Sequence, residues 1–438
     1  MRFSHPIHAF LGQAAQLLHR YGMPVHSLEE RLSTAGAALG VPLQVCATPT
    51  AVELAFGGAA EDGGRQRSHM IRGEGGDAEL GRLVAFDRVI GAVVEGRLEP
   101  RAGRRRLREL AEAPALYGSW ATALAFALSS AAAARFFAGS WIEIGASGLL
   151  GLLLGVLAIA AGRRPALARV FAPLAVLLVA LLAQLLTAKV AGIRVHVTTM
   201  AAVIVLLPGL SLTVAMTELA MRHLVSGTSR LIGALSVLVT MAFGVGAART
   251  LITRLEPAPW LELGPAWTTA ADEPSRLLAL VLAPVGFCVL FQARRVDVPA
   301  VVVTGVVAAE LARVGGVAFG PELGAFCGAA VVGLAAEVYG RWRRVPEAVL
   351  LLPGLLLLVP GSLGFQSVSL FLAEDPAAGI AAGFHMVLVA VALVAGVLVG
   401  KLAGSGLGSS GHGEGRDAGA RVGLAAGARG RGGPRGNR

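Results

Sequence analysis

Hydrophobic positions change their rhythm once along this chain, at about Gly118. Before it, apolar residues recur at helix and strand spacings; after it, they run together in long blocks. Ile7, Phe10, Leu11, Ala14, Leu17, Leu18 and Tyr21 recur at intervals of three and four, the stripe of an amphipathic helix. A second helix is expected after Gly22-Met23-Pro24, where Ser27-Leu28-Glu29-Glu30 reads as a capping box. Residues 41–48 and 50–56 alternate like two strands about Pro49, and a glycine-rich turn leads to a third strand near 68–72. Helical patterns return over 78–97 and 101–113, the second strongly basic. Residues 1–117 are therefore expected to form a small α+β soluble domain.

Beyond Gly118 the apolar blocks have the length of membrane-crossing helices, about 20 residues each. They fall near 119–138, 142–161, 167–188, 196–218, 229–251, 275–292, 297–317, 320–339, 346–372 and 379–402, ten in all. Leu206-Leu207-Pro208-Gly209-Leu210 lies in the fourth block, and the same five letters return at Leu351-Leu352-Pro353-Gly354-Leu355 in the ninth. An odd number of spans per half turns the second copy over, so the pattern predicts two inverted five-helix repeats, 118–253 and 254–402. The fold class expected is an α-helical polytopic membrane protein. Residues 403–438, rich in Gly and Arg, are expected to be a disordered tail. Gly406 to Gly411 spells a dinucleotide fingerprint, but with no strand before it the letters carry no weight.

Composition agrees: 55% of residues are hydrophobic and only 15% charged, far from a soluble average. The net charge of +10 gathers in alternate loops and at the two ends. Arg163, Arg164, Arg169, Arg222, Arg230, Arg294, Arg295, Arg341, Arg343 and Arg344 share one side, and the acidic 253–275 loop lies on the other. By the positive-inside rule both termini are cytoplasmic, as for a bacterial inner-membrane protein. Three cysteines at Cys46, Cys288 and Cys327 make neither a disulfide framework nor a metal set, and His5, His8, His19 and His26 lack matching ligands. No nucleophile elbow, P-loop or zinc-protease motif occurs, so neither enzyme chemistry nor a cofactor is expected. The energy for transport would come from an ion gradient or the substrate's own.

The candidate chemistry sits at the helix breaks. Proline removes a backbone hydrogen bond from a helix interior, and in hydrocarbon the freed groups must face protein or a watery cavity. A break also exposes the N–H groups of the following half-helix, which suit a carboxylate. Pro208, Gly209, Pro353, Gly354, Pro360 and Gly361 are thus expected to shape a substrate site, with Thr198, Thr199, Ser211 and Thr213 supplying hydroxyls nearby. A kinked helix whose hydroxyls bond their own backbone is the plainer reading of the same letters. Acids inside spans are costly, which singles out Glu310, Glu218 and Glu337 as proton carriers. A salt bridge to a loop arginine or a charge at headgroup level is the alternative for each, and the preferred one for Glu143 and Glu337.

These motifs resemble the threonine/serine exporter family. Leu18-His19-Arg20-Tyr21-Gly22-Met23-Pro24-Val25-His26-Ser27-Leu28-Glu29-Glu30 is similar to the family's opening helix, turn and Glu-bearing helix, and Thr48-Pro49-Thr50 to its Thr-Pro-Thr. Leu207-Pro208-Gly209-Leu210-Ser211-Leu212-Thr213 with Glu218, then Leu224-Val225-Ser226-Gly227 and Arg230, resemble the fourth-span signature. Leu352-Pro353-Gly354 and Leu358-Val359-Pro360-Gly361-Ser362 resemble the paired Pro-Gly pattern. Ser211 stands where the family commonly has proline, Val214 where asparagine is frequent, Glu218 where aspartate is expected and Leu357 where another proline often falls.

The resemblance implies ten spans, a cytoplasmic amino-terminal domain and proton-driven export of threonine and serine. Partners expected are the amino acid, protons, membrane lipid and a second copy of the chain, with no nucleic acid. Rival readings are export of another small organic acid, such as a dicarboxylate, or a membrane-anchored sensor or hydrolase acting through the amino-terminal domain.

Overall fold

The structure is a computed structural model that describes residues 5–57, 67–73, 75–76, 78–190, 192–255, 273–358, 361–372 and 375–409. The first part of the chain forms α1 (Pro6–Arg20), α2 (Val25–Ala38), β1 (Leu43–Thr48), β2 (Ala51–Phe56), β3 (Arg67–Arg72), α3 (Leu80–Val94) and α4 (Pro100–Glu112). The strands make one antiparallel sheet in the order β1-β2-β3, with Val45 opposite Leu54 and Val52 opposite Ile71. The α1 stripe lies where its spacing put it: Phe10, Leu11, Ala14, Leu17, Leu18 and Tyr21 are buried. One expectation fails locally. α2 begins at Val25 directly after Pro24, with no side-chain cap, so Ser27 stands inside the first turn and caps nothing. Pro24 has its φ fixed and no N–H to donate, and it starts the helix two residues early.

This amino-terminal unit has no core separate from the membrane helices. Its buried residues run on continuously into Cys288, Ala293, Val301, Val345, Val349 and Leu352. The turn at 291–292 is hydrogen-bonded to the start of α3, Leu80 N–H to Phe291 O at 2.9 Å and Gly81 N–H to Gln292 O at 3.0 Å. The Gln292 Oε1 accepts Tyr117 N–H at 2.9 Å. Extended segments cannot leave such groups unpaired under apolar cover, and these bonds fix the unit against the bundle.

The rest is helical: α5 (Ser119–Phe136), α6 (Trp141–Gly162), α7 (Pro165–Lys189), α8 (Val195–Ala202), α9 (Gly209–Ala220), α10 (Leu224–Leu255), α11 (Glu273–Leu290), α12 (Val298–Phe319), α13 (Pro321–Arg343), α14 (Ala348–Leu358), α15 (Gly361–Leu372) and α16 (Pro376–Ser409). Among the described residues, eight helices are long and apolar enough to cross a membrane, or nine if the bent pair α8–α9 counts as one span. This makes a polytopic helical membrane protein with fewer qualifying spans than the ten expected. The shortfall is α5: a helix of 18 residues in the expected place, whose serines, threonine and Arg135 dilute its hydropathy. Large apolar side chains such as Trp120, Val317, Phe319 and Leu402 point outward, where lipid receives them without the penalty water would exact. The last helix also runs further than expected, so Gly404 to Ser409 continue α16; the remainder of the expected tail and most of the acidic 253–275 loop lie outside the described residues.

Candidate functional site

The fourth apolar block is broken where Pro208 requires it. α8 ends at Ala202, a single 3₁₀ turn covers Ile204–Leu206, and Leu207 is extended, the conformation a following proline imposes. α9 then starts at Gly209, and the two pieces meet at a bend of 52°. Leu212 is the first residue to reach an acceptor of its own helix, Pro208 O at 2.9 Å. The amides of Gly209, Leu210 and Ser211 therefore stand at the positive end of the α9 dipole with no carbonyl of α9 to bond.

The second copy of the five letters does something else. Pro353 and Gly354 lie inside α14, which continues unbroken to Leu358. α15 is described from Gly361, and residues 359–360, Pro360 among them, lie outside the described residues. Gly361 nonetheless meets the start of α9. A Cβ built on it would stand 3.1 Å from Gly209 Cα and 3.4 Å from Gly209 N. The starts of α9 and α15 cross backbone against backbone, a separation that only glycine permits.

Thr213 is buried, but its hydroxyl donates to Gly209 O at 3.2 Å, the i−4 bond of an ordinary helical threonine. Ser211 instead lines a cavity of about 170 Å³ between α9 and the amino-terminal unit. Its wall includes Leu210, Val214 and Arg230 on one side and Met23 and Pro24 on the other. A drug-sized ligand takes about 300 Å³ or more, so this volume suits a smaller solute. Gly22 shapes the far wall: its φ of +76° and the Ala78 backbone, 2.8 Å from where a Cβ would stand, admit no side chain. A larger and more open cleft of about 450 Å³ lies at the α2–β1 corner, lined by residues such as Ser33, Gly40 and Gln44. It holds no ionisable side chain and is remote from the break, so volume is a poor guide here.

Glu218 is the acid linked to this cavity, through Arg230. It is 0% exposed, near the end of α9. Its Oε2 accepts Ser226 Oγ–H at 2.8 Å and Arg230 Nε–H at 3.3 Å, while Oε1 is buried with no hydrogen-bond partner among the described residues. Arg230 both holds Glu218 and lines the cavity.

Facing Glu218 from α2 is His26, whose Nδ1 is likewise buried and unpartnered. Burial, together with the Lys401 ammonium, pushes the His26 imidazole down from 6.5 to about 4 against the opposing pull of Glu218. The surrounding charges are paired: Glu29 with His223 at 3.6 Å and Lys401 with Glu347 at 2.6 Å. Glu29 Oε1 also accepts Ala47 N–H at 2.7 Å, so one side chain ties β1 to the α9–α10 turn.

The other two acids are elsewhere. Glu310 is held between Arg276 and Arg313, the latter at 3.0 Å, with 30% of its side chain exposed. Glu337 pairs with Arg341 at 2.7 Å. Neither approaches the Gly209–Gly361 crossing, and both have the arginine partners that the plainer reading foresaw. Glu143 does too, in Arg194 at 2.9 Å. The structure brings Gly209 and Gly361 together and puts Ser211 and Arg230, the partner of Glu218, on one cavity whose wall also includes Leu352, next to Pro353; Glu310 and Glu337 stand on α12 and α13 with their arginine partners. His26 was weighed in the sequence only as a metal ligand. Its nearness to Glu218 needed the amino-terminal unit to dock, and no spacing along the chain records that.

Two family models match the chain, both of the threonine/serine exporter (ThrE) family, over residues 9–252 and 276–403. Curated relatives include "Pheromone-regulated membrane protein 10" of Pichia sorbitophila, 24% identical over 372 residues, covering 82% of this chain and 36% of that protein. The protein of the same name from Zygosaccharomyces rouxii is 23% identical over 371 residues (82% and 37%). An uncharacterized protein of Schizosaccharomyces pombe is 22% identical over 353 residues (79% and 46%). The chain spans less than half the length of the curated relatives it matches. No solved structure matches it.

Proposed function

This chain belongs to the threonine/serine exporter family, and from that premise we propose that it is a secondary exporter of threonine and serine, driven by the proton gradient through alternating access. The observation that carries the reading is Glu218, a wholly buried carboxylate with one unpartnered oxygen, sharing Arg230 with a cavity beside the helix break. Ionised Glu218 and Arg230 together suit a zwitterion: the open Oε1 of Glu218 takes the ammonium group and Arg230 holds the carboxylate, with the α9 amides at Gly209 to Ser211 adding their dipole to the same anion. Protonation of Glu218 removes the charge that holds the ammonium and loosens the substrate, and the next substrate displaces the proton. The two occupy the site by turns, so one proton and one amino acid exchange places.

Two inverted five-helix halves, α5–α10 and α11–α16, supply the rocking. The repeated Leu-Leu-Pro-Gly-Leu and the crossing of α9 with α15 support that symmetry. The amino-terminal unit is an α+β domain on the cytoplasmic side of a cytoplasmic membrane, closing the inner mouth over the cavity, as the basic loops on its side support. Pro353, Gly354 and Pro360 shape the second half's side of the site, and Thr213 stiffens α9. Glu310 and Glu337 are structural ion pairs. Lipid surrounds the bundle, and a second copy of the chain fits its lipid-facing sides. Arg230 recognises a carboxylate whatever the rest of the molecule, and this favours a second reading in which the cargo is another small organic acid.

Proteoliposomes loaded with labelled threonine or serine, with and without an imposed pH gradient, test both. Alanine, succinate and pyruvate run beside them. Gradient-dependent threonine efflux that disappears in Glu218→Gln and survives in Glu310→Gln is the expected result. The reverse pattern would move the coupling proton to the Arg276–Glu310–Arg313 cluster. Movement of succinate or pyruvate without threonine would overturn the cargo.

A further inference from the structure

The end of the bundle remote from the amino-terminal unit carries a second polar arrangement, built around Glu143. α5 leaves the unit at Ser119 and, at about 1.5 Å per residue, delivers the chain some 27 Å away before α6 begins. Ser140 caps α6 in a complete capping box: its Oγ accepts Glu143 N–H at 3.4 Å, and Glu143 Oε2 accepts Ser140 N–H at 2.8 Å. The same carboxylate starts α8. Glu143 Oε1 accepts both the backbone N–H and the Nε–H of Arg194 at 2.9 Å, and Oε2 accepts Nη2–H at 3.0 Å. Arg194 also donates to Ala138 O at 2.7 Å. One fully buried acid therefore gathers two helix starts and an arginine into a single knot.

Because α6 and α8 both begin at Glu143, they run side by side in the same direction. One turn below the knot, Ser147 stands four residues after Glu143 and Thr198 four residues after Arg194. Both are 0% exposed, and Thr199 beside them is 2% exposed. The hydroxyls of all three are buried without a hydrogen-bond partner among the described residues. This is not the habit of this protein's helices. Thr187, Thr213 and Thr217 each donate to the carbonyl four residues back. An orphaned buried hydroxyl is costly, and three at one level of one helix pair are a poor way to build a merely structural contact. Ala133 and Ala134 of α5 pack with Ala201 of α8 in a cluster of small side chains. One turn further in, Ser130 Oγ–H reaches Ala202 O at 3.1 Å, and Ser129 is again buried and unpartnered, facing Gly286 of α11.

We propose that Ser147, Thr198 and Thr199 form a second station for a small hydrogen-bonding solute, on the far side of the Pro208 break from the Arg230 cavity, and that the Glu143–Arg194 pair is the gate over it. The solute's hydroxyl and ammonium groups take the three free oxygens as acceptors and donors. Glu143 and Arg194 both belong to the first half, so the gate opens by α8 parting from α6 within that half, at the cost of both ion-pair bonds and two helix caps. The identity of the solute rests on the exporter reading above; the existence of the station does not.

The test uses the full-length protein in proteoliposomes, with Cys46, Cys288 and Cys327 replaced by serine or alanine. Ser147→Cys and Thr198→Cys are exposed to a small water-soluble thiosulfonate, with Val179→Cys, equally buried in a packed apolar cluster, as the control. Reaction several-fold faster than the control, faster again with Arg194→Gln added, and slowed by one of threonine, serine, alanine or succinate is the result expected. Slowing by succinate but not by threonine would keep the station and reject the hydroxy amino acid as cargo. Reaction no faster than Val179→Cys in either background, or reaction that no solute slows, would overturn the station. Thr198→Val, which keeps the shape and loses the hydroxyl, is then expected to raise the apparent KM for efflux several-fold with the unfolding midpoint unchanged or raised.

Discussion

Leu206-Leu207-Pro208-Gly209-Leu210 and Leu351-Leu352-Pro353-Gly354-Leu355 are the same five letters in two different conformations. The first ends one helix and begins another at 52°. The second is ordinary α-helix from Ala348 to Leu358. Both prolines lack the same N–H, so local chemistry cannot be what separates them. Surroundings are. Gly209 lies against the backbone of Gly361, and the orphaned amides after Pro208 sit beside a cavity. Gly354 lies against the side chain of Val332, 2.9 Å from where its Cβ would stand, and α14 is buried between α11, α12 and α13. Proline permits a break in both places; the first lies at the Gly209–Gly361 backbone contact, and the second is packed on Val332, although Leu352 beside it lines the same cavity. The lesson is that a Pro-Gly pair marks where a transmembrane helix can open without deciding that it does.

That comparison can be broken most sharply at the glycines. Gly361→Val drives a branched side chain into the Gly209 backbone, which has no rotamer to retreat to. It is expected to abolish efflux and to cost about 1–3 kcal/mol of overpacking. Gly354→Ala brings its Cβ to 2.9 Å from Val332 Cγ1, a side chain rather than backbone, so the packing there shifts slightly and most of the activity is expected to remain. Equal damage from the two, in efflux and in thermal unfolding, would remove the distinction between the sites.

The prolines come next. Pro208→Ala restores an N–H and permits a straight helix; the half-helix start at Gly209 is lost and efflux with it, though the protein stays folded. Pro353→Ala supplies the N–H that the Val349 carbonyl lacks in α14. Interior proline is worse than alanine by about 3 kcal/mol, so this change is expected to raise the unfolding midpoint and leave transport intact. A Pro353→Ala variant that unfolds earlier or stops transporting would show that α14 uses its proline after all.

The smallest effect is one of pH, and it belongs to the first break alone, where His26 meets Glu218. In the folded protein burial holds His26 near 4, against 6.5 when exposed. As pH falls through 6.5 the unfolded chain takes the proton first, so stability is lost between about 6.5 and 4 and is unaffected above that window. The ceiling is about 1.4 kcal/mol per pH unit, and the partial exposure of α2 keeps the measured slope below it. Lys401, Glu218, His223 and Glu347 face the same imidazole. Thermal unfolding followed from neutral to acid pH is expected to flatten in His26→Gln, while a variant at Pro353 keeps the full dependence.

Residue patterns made much of this legible. The α1 stripe, the strands about Pro49 and the break at Pro208 follow from periodicity and backbone chemistry that act over a few residues. Glu218 was visible because an acid in an apolar block is costly wherever the block folds. Glu310 was visible for the same reason, yet Arg276, distant in sequence and on another helix, answers it with an ion pair. The early start of α2 was within reach, since Pro24 outranks Ser27 as a helix start. The thin hydropathy of α5 was readable too, in its serines and Arg135.

What the chain determined by itself is a membrane-helical architecture, the location of the first break and the family's motifs, because hydrophobic length and missing N–H groups are local facts. What only the tertiary structure decided is which acid has an empty oxygen, which Pro-Gly pair opens and which hydroxyls go unanswered. Each of those depends on the partner that arrives from elsewhere. Arg230 reaches Glu218 after α10 folds back, Gly361 reaches Gly209 from the other half, and nothing reaches Ser147 or Thr198 among the described residues. A sequence lists the donors and acceptors, and packing decides which of them are left without partners.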